Sequence, residues 1–159
     1  MSGARRATVD DARELVRLRA VMLGALSGTP PEPGEWQHTA LRTLRLQLPD
    51  LEADLAAYVV DAPGRPGTLA ACAVGVVDLR LGGPVDPSGR SGYVFNVATD
   101  PGYRRRGFSR ACLGALLDWF AERGVRTVDL KASPEGEPLY RELGFRPTSM
   151  AAMRRGEGL

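Results

Sequence analysis

Apolar residues recur at helical spacing in the first third of the chain. They fall largely on one helical face over Val9–Leu26, and a second such face runs over Glu35–Gln47. The segment between them contains three prolines and two glycines, which predicts a loop. A capping box formed by Thr8 and Asp11 would begin the first helix. The pattern therefore predicts two helices, preceded by a short strand at Arg5–Thr8.

The pattern changes to that of β-strands after Pro49. Ala56–Asp61 and Thr68–Leu79 are rich in valine, alanine and leucine, and the residues between them include two prolines and two glycines. These features predict an antiparallel hairpin. A loop over Leu81–Gly92 then leads to a further strand candidate, Tyr93–Thr99.

The last third of the chain predicts helices and strands in alternation. The predicted elements are an amphipathic helix over Gly107–Arg123, a strand over Thr127–Lys131, a short helix over Pro138–Leu143 and one or two strands within Phe145–Arg154. Because a strand, a helix and a strand follow one another over residues 93–131, two strands are expected to run parallel. We therefore expect residues 1–159 to form one domain of the mixed-sheet α/β (α+β) class.

Composition and charge narrow the classes of function. The net charge of +2 is too small to favour nucleic acid or an anionic membrane surface as a partner. His38 is the only histidine, which excludes a multi-histidine metal site, and both cysteines lie in apolar surroundings typical of small buried residues. No apolar stretch approaches the roughly 20 residues that span a bilayer. We expect a cytoplasmic protein that binds no metal.

The segment Val97–Arg110 has the pattern of an anion-binding loop. A strand ends, a turn follows at Asp100–Gly102, and a helix begins after three consecutive arginines and Gly107. The first N–H groups of a helix lack intrahelical partners, and the helix dipole is positive at that end. Glycine also allows close approach of a ligand. The pattern is typical of diphosphate binding; a plain strand-to-helix turn with solvent-exposed arginines is the alternative.

Two motifs in this half of the chain occur together. Residues 97–109 read V-A-T-D-P-G-Y-R-R-R-G-F-S, and residues 139–145 read L-Y-R-E-L-G-F. In both runs the chain resembles the GNAT superfamily of N-acetyltransferases, which carries Q/R-x-x-G-x-G/A after a strand and L-Y-x-x-L/x-G-F further on. Ser109 stands where the family has glycine or alanine, and it is small enough for that position. The resemblance covers nearly the whole chain in outline and is specific in residues 93–146.

The resemblance implies a fold and a co-substrate. The fold is a GNAT-like acyl-CoA N-acyltransferase fold, a mixed, mostly antiparallel sheet of six to seven strands flanked by about four helices, in which a bulged fourth strand diverges from the fifth. The co-substrate is acetyl-CoA, held by the backbone of the fourth strand and of the loop that follows. Ser133 lies near the CoA arm in relatives, and a helix cap is its alternative role. The implied cofactor-binding residues are Val97, Ala98, Thr99, Arg104, Arg105, Arg106, Gly107, Phe108, Ser109, Arg110 and Ser133.

The resemblance also implies catalytic roles. Tyr140 matches the tyrosine that protonates the leaving thiolate, and a phenol with a pKa of about 10 suits a thiol with a pKa of about 8.5. Relatives often use a carboxylate as general base, but the cleft position here is Asn96, which cannot act as one. Asp78 on the preceding strand is the best-placed carboxylate, with a surface acid at a strand end as its alternative. Glu32 and Glu35 are candidates to meet a cationic amine, or simply acids at a helix start.

Two functions are compatible with these motifs. In the first, the chain moves the acetyl group of acetyl-CoA to a primary amine of a small molecule or peptide, by direct attack in a ternary complex. In the second, it is a catalytically silent acyl-CoA-binding sensor or partner-binding module on the same fold, which Asn96 keeps open and Tyr140 argues against. Nucleic-acid binding through Arg104–Arg106 is disfavoured by the near-neutral charge. Homodimers are frequent in the family.

Overall fold

The computed structural model describes residues 3–158 of the chain. Within them, five strands and four α-helices follow one another, and two short 3-10 turns, Val9–Asp11 and Pro101–Tyr103, precede α1 and α3. In chain order the elements are β1 (Arg5–Arg6), α1 (Ala12–Ser27), α2 (Glu35–Gln47), β2 (Leu55–Asp61), β3 (Leu69–Leu79), β4 (Arg90–Thr99), α3 (Phe108–Glu122), β5 (Thr127–Leu130) and α4 (Glu137–Glu142).

The strands form one sheet in the order β1-β2-β3-β4-β5. Neighbours are antiparallel except β4 and β5, which are parallel because α3 connects them as a crossover. The register of β3 against β4 shifts once: Val74 lies opposite Asn96, but Gly75 lies opposite Val94. Phe95 is therefore an extra residue in β4, a β-bulge that bends the strand. The bulge implied for the fourth strand is present.

Helices cover both faces of the sheet. On one face α3 buries Leu113, Leu116 and Phe120 against β2 and β3. On the other face α1 buries Leu15 and Leu18 in a second apolar cluster. Burial of such side chains is the main favourable term in folding. None of the helices within residues 3–158 combines the length and the apolar character needed to cross a membrane.

Phe120 of α3 rests directly on the sheet. A Cβ atom on Gly75 would lie 2.8 Å from the Phe120 ring, and a Cβ atom on Gly92 would lie 2.7 Å from it. Both distances are shorter than carbon atoms tolerate, so the ring requires that neither position carry a side chain. Because Gly75 is on β3 and Gly92 is on β4, the ring contacts two neighbouring strands at once.

The mixed sheet with four helices confirms the predicted fold class, but the predicted number of strands is wrong. The sheet has five strands within residues 3–158 rather than six to seven, because Phe145–Arg154 forms none. Side chains from Arg146 onward are exposed, so this segment has no buried face to hold it on the sheet, and Pro147 lacks an N–H donor. The outer edge of β5 borders a groove of about 610 Å³ instead.

Candidate functional site

A cleft opens where β4 and β5 part. Their parallel pairing ends at Val94 opposite Leu130, whereas β4 continues to Thr99. The last residues of β4 therefore have no β5 partner for their backbone groups. The cleft leads into a cavity of about 810 Å³, within the range typical of ligand sites. Its wall includes Asn96 and Val97 of β4, Leu130, Lys131 and Ser133 at and after the end of β5, Tyr140 of α4, and Arg19 and Trp36 of α1 and α2.

The loop between β4 and α3 contains two residues in the left-handed conformation. Arg105, with φ of 63°, is the only non-glycine residue of 3–158 in a left-handed conformation, and Gly107 follows with φ of 77°. Gly107 provides no side chain to cap α3, and a Cβ atom there would meet nothing within 4 Å. The N–H groups of the first helical turn are consequently open to a bound diphosphate.

The arginine side chains around this loop are exposed. Arg104 and Arg105 extend into solvent, and Arg106 lies over the ring of Tyr103, with its guanidinium carbon 5.3 Å from the ring centre. Arg110 forms an ion pair with Glu142 of α4. The fold thus positions the backbone of this loop, and the exposed arginine side chains surround that backbone with positive charge.

Hydrogen bonds fix both ends of the loop. The hydroxyl groups of Thr99 and Ser109 are hydrogen-bonded to each other, which joins the end of β4 to the first turn of α3. The Asp100 carboxylate accepts the Gly102 N–H at 2.8 Å and Nη1 of Arg17 at 2.7 Å. Burial raises the pKa of Asp100, but these hydrogen bonds outweigh burial and hold it below its usual value. Asp100 is therefore a charged anchor at neutral pH.

Tyr140 reaches the cavity from α4. Its ring packs edge-on against Phe145, with centroids 6.0 Å apart, and a Cβ atom on Gly136 would lie 2.9 Å from it. The side chain is half-buried, and burial raises its pKa. The phenol therefore keeps its proton at neutral pH, as a proton donor must.

Asn96 lies at the floor of the cavity, just after the bulge. It is 3% exposed, its Nδ2 donates to Sγ of Cys72 at 3.6 Å, and its Oδ1 accepts from Nη1 of Arg19 at 3.5 Å. Among the described residues that line the cavity there is no aspartate or glutamate. Sequence reasoning missed Arg19, because a single arginine on an amphipathic helix gives no signal of what it faces.

Other predicted residues lie apart from the cavity or serve a second purpose. Asp78 pairs across the strands with Ser91 and lies 3.9 Å from the guanidinium of Arg80, and it does not line the cavity that Tyr140 lines. Glu32 and Glu35 are exposed and do not line the cavity either. Ser133 does line it, while its Oγ also accepts the Gly136 N–H at 3.1 Å.

The cysteines and the histidine are placed as their sequence surroundings predicted. Cys72 and Cys112 are buried and free, and burial raises the pKa of both thiols, that of Cys72 to about 12. His38 is exposed on α2. In the part of the chain that the structure describes, no three side chains of the His, Cys, Asp and Glu types converge as metal ligands.

Comparisons with known proteins match this geometry. The family model described as the acetyltransferase (GNAT) family matches residues 25–145. The ribosomal protein bS18-alanine N-acetyltransferase of Escherichia coli strain K12 is 38% identical over 60 residues, which are 36% of this chain and 40% of that protein. The matched region thus spans less than half the length of this curated relative.

Solved structures share the fold over nearly the full chain. A predicted acetyltransferase with acetyl-CoA from Clostridium acetobutylicum has a TM-score of 0.81 at 24% identity, covering 98% of this chain and 96% of its own. The aminoglycoside N-acetyltransferase AAC(6')-Iy in complex with CoA has a TM-score of 0.72 at 19% identity, covering 99% and 96%. Since the family model also matches most of the chain, the protein belongs to the GNAT family of acetyltransferases.

Proposed function

We propose that this chain transfers the acetyl group of acetyl-CoA to a primary amine of a small molecule or peptide, by direct attack of the amine within a ternary complex. One observation carries the proposal: β4 parts from β5, it continues toward the uncapped N-terminus of α3, and the phenol of Tyr140 lines the cavity beside the parting. These features suit, in turn, the pantetheine arm, the pyrophosphate and the leaving thiolate.

Acetyl-CoA is proposed to lie along the free edge of β4. Backbone groups of Val97 and Thr99 would bond the pantetheine arm, with the buried Ala98 between them. The N–H groups from Arg105 to Arg110 would hold the pyrophosphate, whose negative charge suits a helix N-terminus. The open space beside Gly107 fits a phosphate group. Exposed Arg104 adds charge nearby.

The proposed reaction needs one proton donor from the protein. The amine nitrogen attacks the thioester carbonyl carbon, the C–N bond forms, and the C–S bond breaks with its electron pair on sulfur. Tyr140 donates its phenolic proton to that thiolate, and its burial keeps the proton available at neutral pH. The proton lost by the amine goes to solvent, from which Tyr140 is reprotonated.

The amine is proposed to lose its proton to water before the attack. The described cavity wall offers no carboxylate as base, and Asp78 lies elsewhere. An α-amino group with a pKa of about 8 supplies far more free base at neutral pH than a lysine-type amine with a pKa of about 10.4. Acceptors with α-amino groups are therefore favoured. The bS18-alanine N-acetyltransferase, by its name, modifies an alanine.

The lack of a described carboxylate in the cavity also favours a second candidate, an acyl-CoA-binding sensor or partner-binding module without turnover. In either case we propose a cytoplasmic location, because both cysteines are free, as is usual in reducing compartments. A homodimer stays a prediction.

Two measurements test the proposed function. Calorimetry with acetyl-CoA is expected to show binding, and no heat at high micromolar acetyl-CoA would contradict both candidates. A thiol-release assay over amino acids, peptides, polyamines and aminoglycosides then separates an enzyme from a sensor. Binding with no thiol release from any amine would favour the sensor.

A further inference from the structure

The cavity wall is cationic among the residues that the structure describes. Arg19, Lys131 and Arg154 line it, and no acidic residue does so among the described ones, although the chain has 19 aspartates and glutamates. The loop Arg104–Gly107, proposed for the pyrophosphate, is not part of this wall. The positive charge of the cavity is thus separate from that of the proposed pyrophosphate site.

Arg19 is half-buried on α1 without an acidic partner. Its Nη1 donates to Asn96 Oδ1 at 3.5 Å, and no carboxylate of residues 3–158 lies within 4.0 Å of its guanidinium. Arg17, two residues earlier, has both Glu14 and Asp100 at 2.7 Å. A partly buried guanidinium is costly without a counter-charge. Arg19 therefore presents charge and unused N–H donors to the cavity.

Lys131 brings a second positive charge from a different wall. It directly follows the last residue of β5, whereas Arg19 approaches from α1. Lys131 is exposed, and within the described chain no carboxylate lies within 4.0 Å of its ammonium group. It is also the only lysine in a chain whose other basic residues are arginines.

We infer that the amine acceptor carries an anionic group, a carboxylate or a phosphate, which Arg19 binds with help from Lys131. The inference rests on the proposed function and names its substrate class. A guanidinium forms paired, charge-assisted hydrogen bonds with the oxygens of either anion. Polycationic amines are poor acceptors for this cavity, because their ammonium groups are repelled by the same two charges.

Matched pairs of acceptors test the inference. Thiol release is compared for amino acids and their primary amides, and for an amino sugar with and without a phosphate, with each rate expressed per concentration of unprotonated amine, because amidation lowers the pKa of the neighbouring amine. We expect kcat/KM to be at least about tenfold higher for the anionic member, the effect of one hydrogen bond between charged groups. The two kinds of pair are compared separately, so they identify which anion is preferred.

Charge variants connect the preference to its residue. Arg19→Gln removes the charge but keeps a donor toward Asn96, and is expected to erase the preference, whereas Lys131→Gln reduces it by about two- to threefold. Arg45→Gln is the matched control, because Arg45 is exposed on α2 and outside the cavity wall. Acetyl-CoA affinity by calorimetry and the thermal unfolding midpoint should stay close to wild type in all three.

The outcomes separate this inference from the proposed function. Equal use of both members of each pair, or best use of polycations, overturns the inference while the acetyltransferase function stands. A loss of acetyl-CoA affinity in Arg19→Gln as large as its loss of acceptor use also overturns it, since Arg19 would then belong to the donor site. No acetyl-CoA binding by wild type contradicts the proposed function itself.

A second readout does not depend on turnover. The paired amines are titrated by calorimetry into the protein saturated with CoA. Binding of the anionic member alone, lost in Arg19→Gln, supports the inference. Equal binding of both members, or binding of neither, contradicts it.

Discussion

The two halves of the proposed site are built from different parts of the chain. The proposed donor half, residues 95–99 of β4 and the loop to Gly107, presents backbone groups: a strand edge without a partner and left-handed turns at Arg105 and Gly107. The acceptor half, the cavity-lining residues of α1 and α2, presents side chains, with Arg19 and Trp36 among them. The donor half depends on the conformation of the backbone, and the acceptor half depends on the identity of the side chains.

This difference separates the part of the proposed site that tolerates changes of side chain from the part that does not. A backbone cradle binds the same diphosphate whatever its exposed side chains are. A wall of side chains selects an acceptor, and it changes with every substitution. Tyr140 belongs to neither half, because it lines the cavity from α4.

Tyr140→Phe is expected to give the largest effect. We expect kcat to fall by about 100-fold, the usual contribution of a general acid, with acetyl-CoA affinity nearly unchanged. Because burial raises the pKa of Tyr140, activity that needs its proton should persist at neutral pH and decline only above about pH 10. Tyr58→Phe is the control, a half-buried tyrosine of β2 outside the cavity whose pKa burial also raises. Lost affinity with normal turnover would contradict the acid role.

Gly136→Ala tests whether the position of the phenol matters. The new Cβ atom would lie 2.9 Å from the Tyr140 ring and displace it, while φ of −83° at Gly136 suits alanine. We expect kcat to fall by about tenfold. Gly114→Ala on α3, where a Cβ atom meets nothing within 4 Å, is the control. Unchanged kinetics in both variants would show that the ring position is not critical.

Gly107→Ala tests the backbone of the donor half. Alanine at φ of 77° is strained by about 1 kcal/mol, and its methyl group would occupy the proposed phosphate space. Because that methyl group would stand where the phosphate is proposed to bind, we expect acetyl-CoA to bind about five- to tenfold more weakly in calorimetry, a loss of about 1 kcal/mol of binding free energy. Gly64→Ala has the same strain, with φ of 74° in the turn between β2 and β3, and should lose stability without losing affinity. Equal affinity losses in both variants would point to unfolding instead.

Arg105→Gly should have the smallest effect. Glycine accepts the left-handed conformation of this position, and the side chain that it removes is exposed. We expect acetyl-CoA affinity to stay within about twofold, because one exposed charge contributes little. A tenfold loss of affinity in the same titration would contradict this contrast between the two halves, since the donor half would then depend on side chains as well.

The strand-to-helix loop of the proposed donor half could be predicted from the sequence because its conformation requires particular residues at fixed spacing, while its binding of acetyl-CoA stays a prediction. A left-handed residue before a helix is usually glycine, so Gly107 indicates in the sequence where this turn lies. Other elements follow equally directly from the spacing of apolar residues. Helix α2 has the predicted bounds, Glu35–Gln47, and strand β5 ends one residue before its predicted end at Lys131.

The acceptor half could not be predicted, because it depends on register and long-range contact. Asp78 is well placed by strand order, but the register sets it opposite Ser91, well before the bulge at Phe95. Arg19 reaches Asn96 across 77 residues of sequence. The strand expected within Phe145–Arg154 did not form for a related reason: a β-strand needs a face to bury, and after the partly buried Phe145 every side chain of this segment is exposed.

Phe120 fixes the register of β3 against β4 from the face opposite the acceptor helices. A slip by one residue would bring a side chain under the ring that now rests on Gly75 and Gly92. The register that places the bulge in β4 is therefore held from the α3 side of the protein. The cavity-lining residues of α1 and α2, which do not include Arg17, can diverge between relatives or be redesigned for a new amine without removing the hydrogen bond from Arg17 that anchors Asp100.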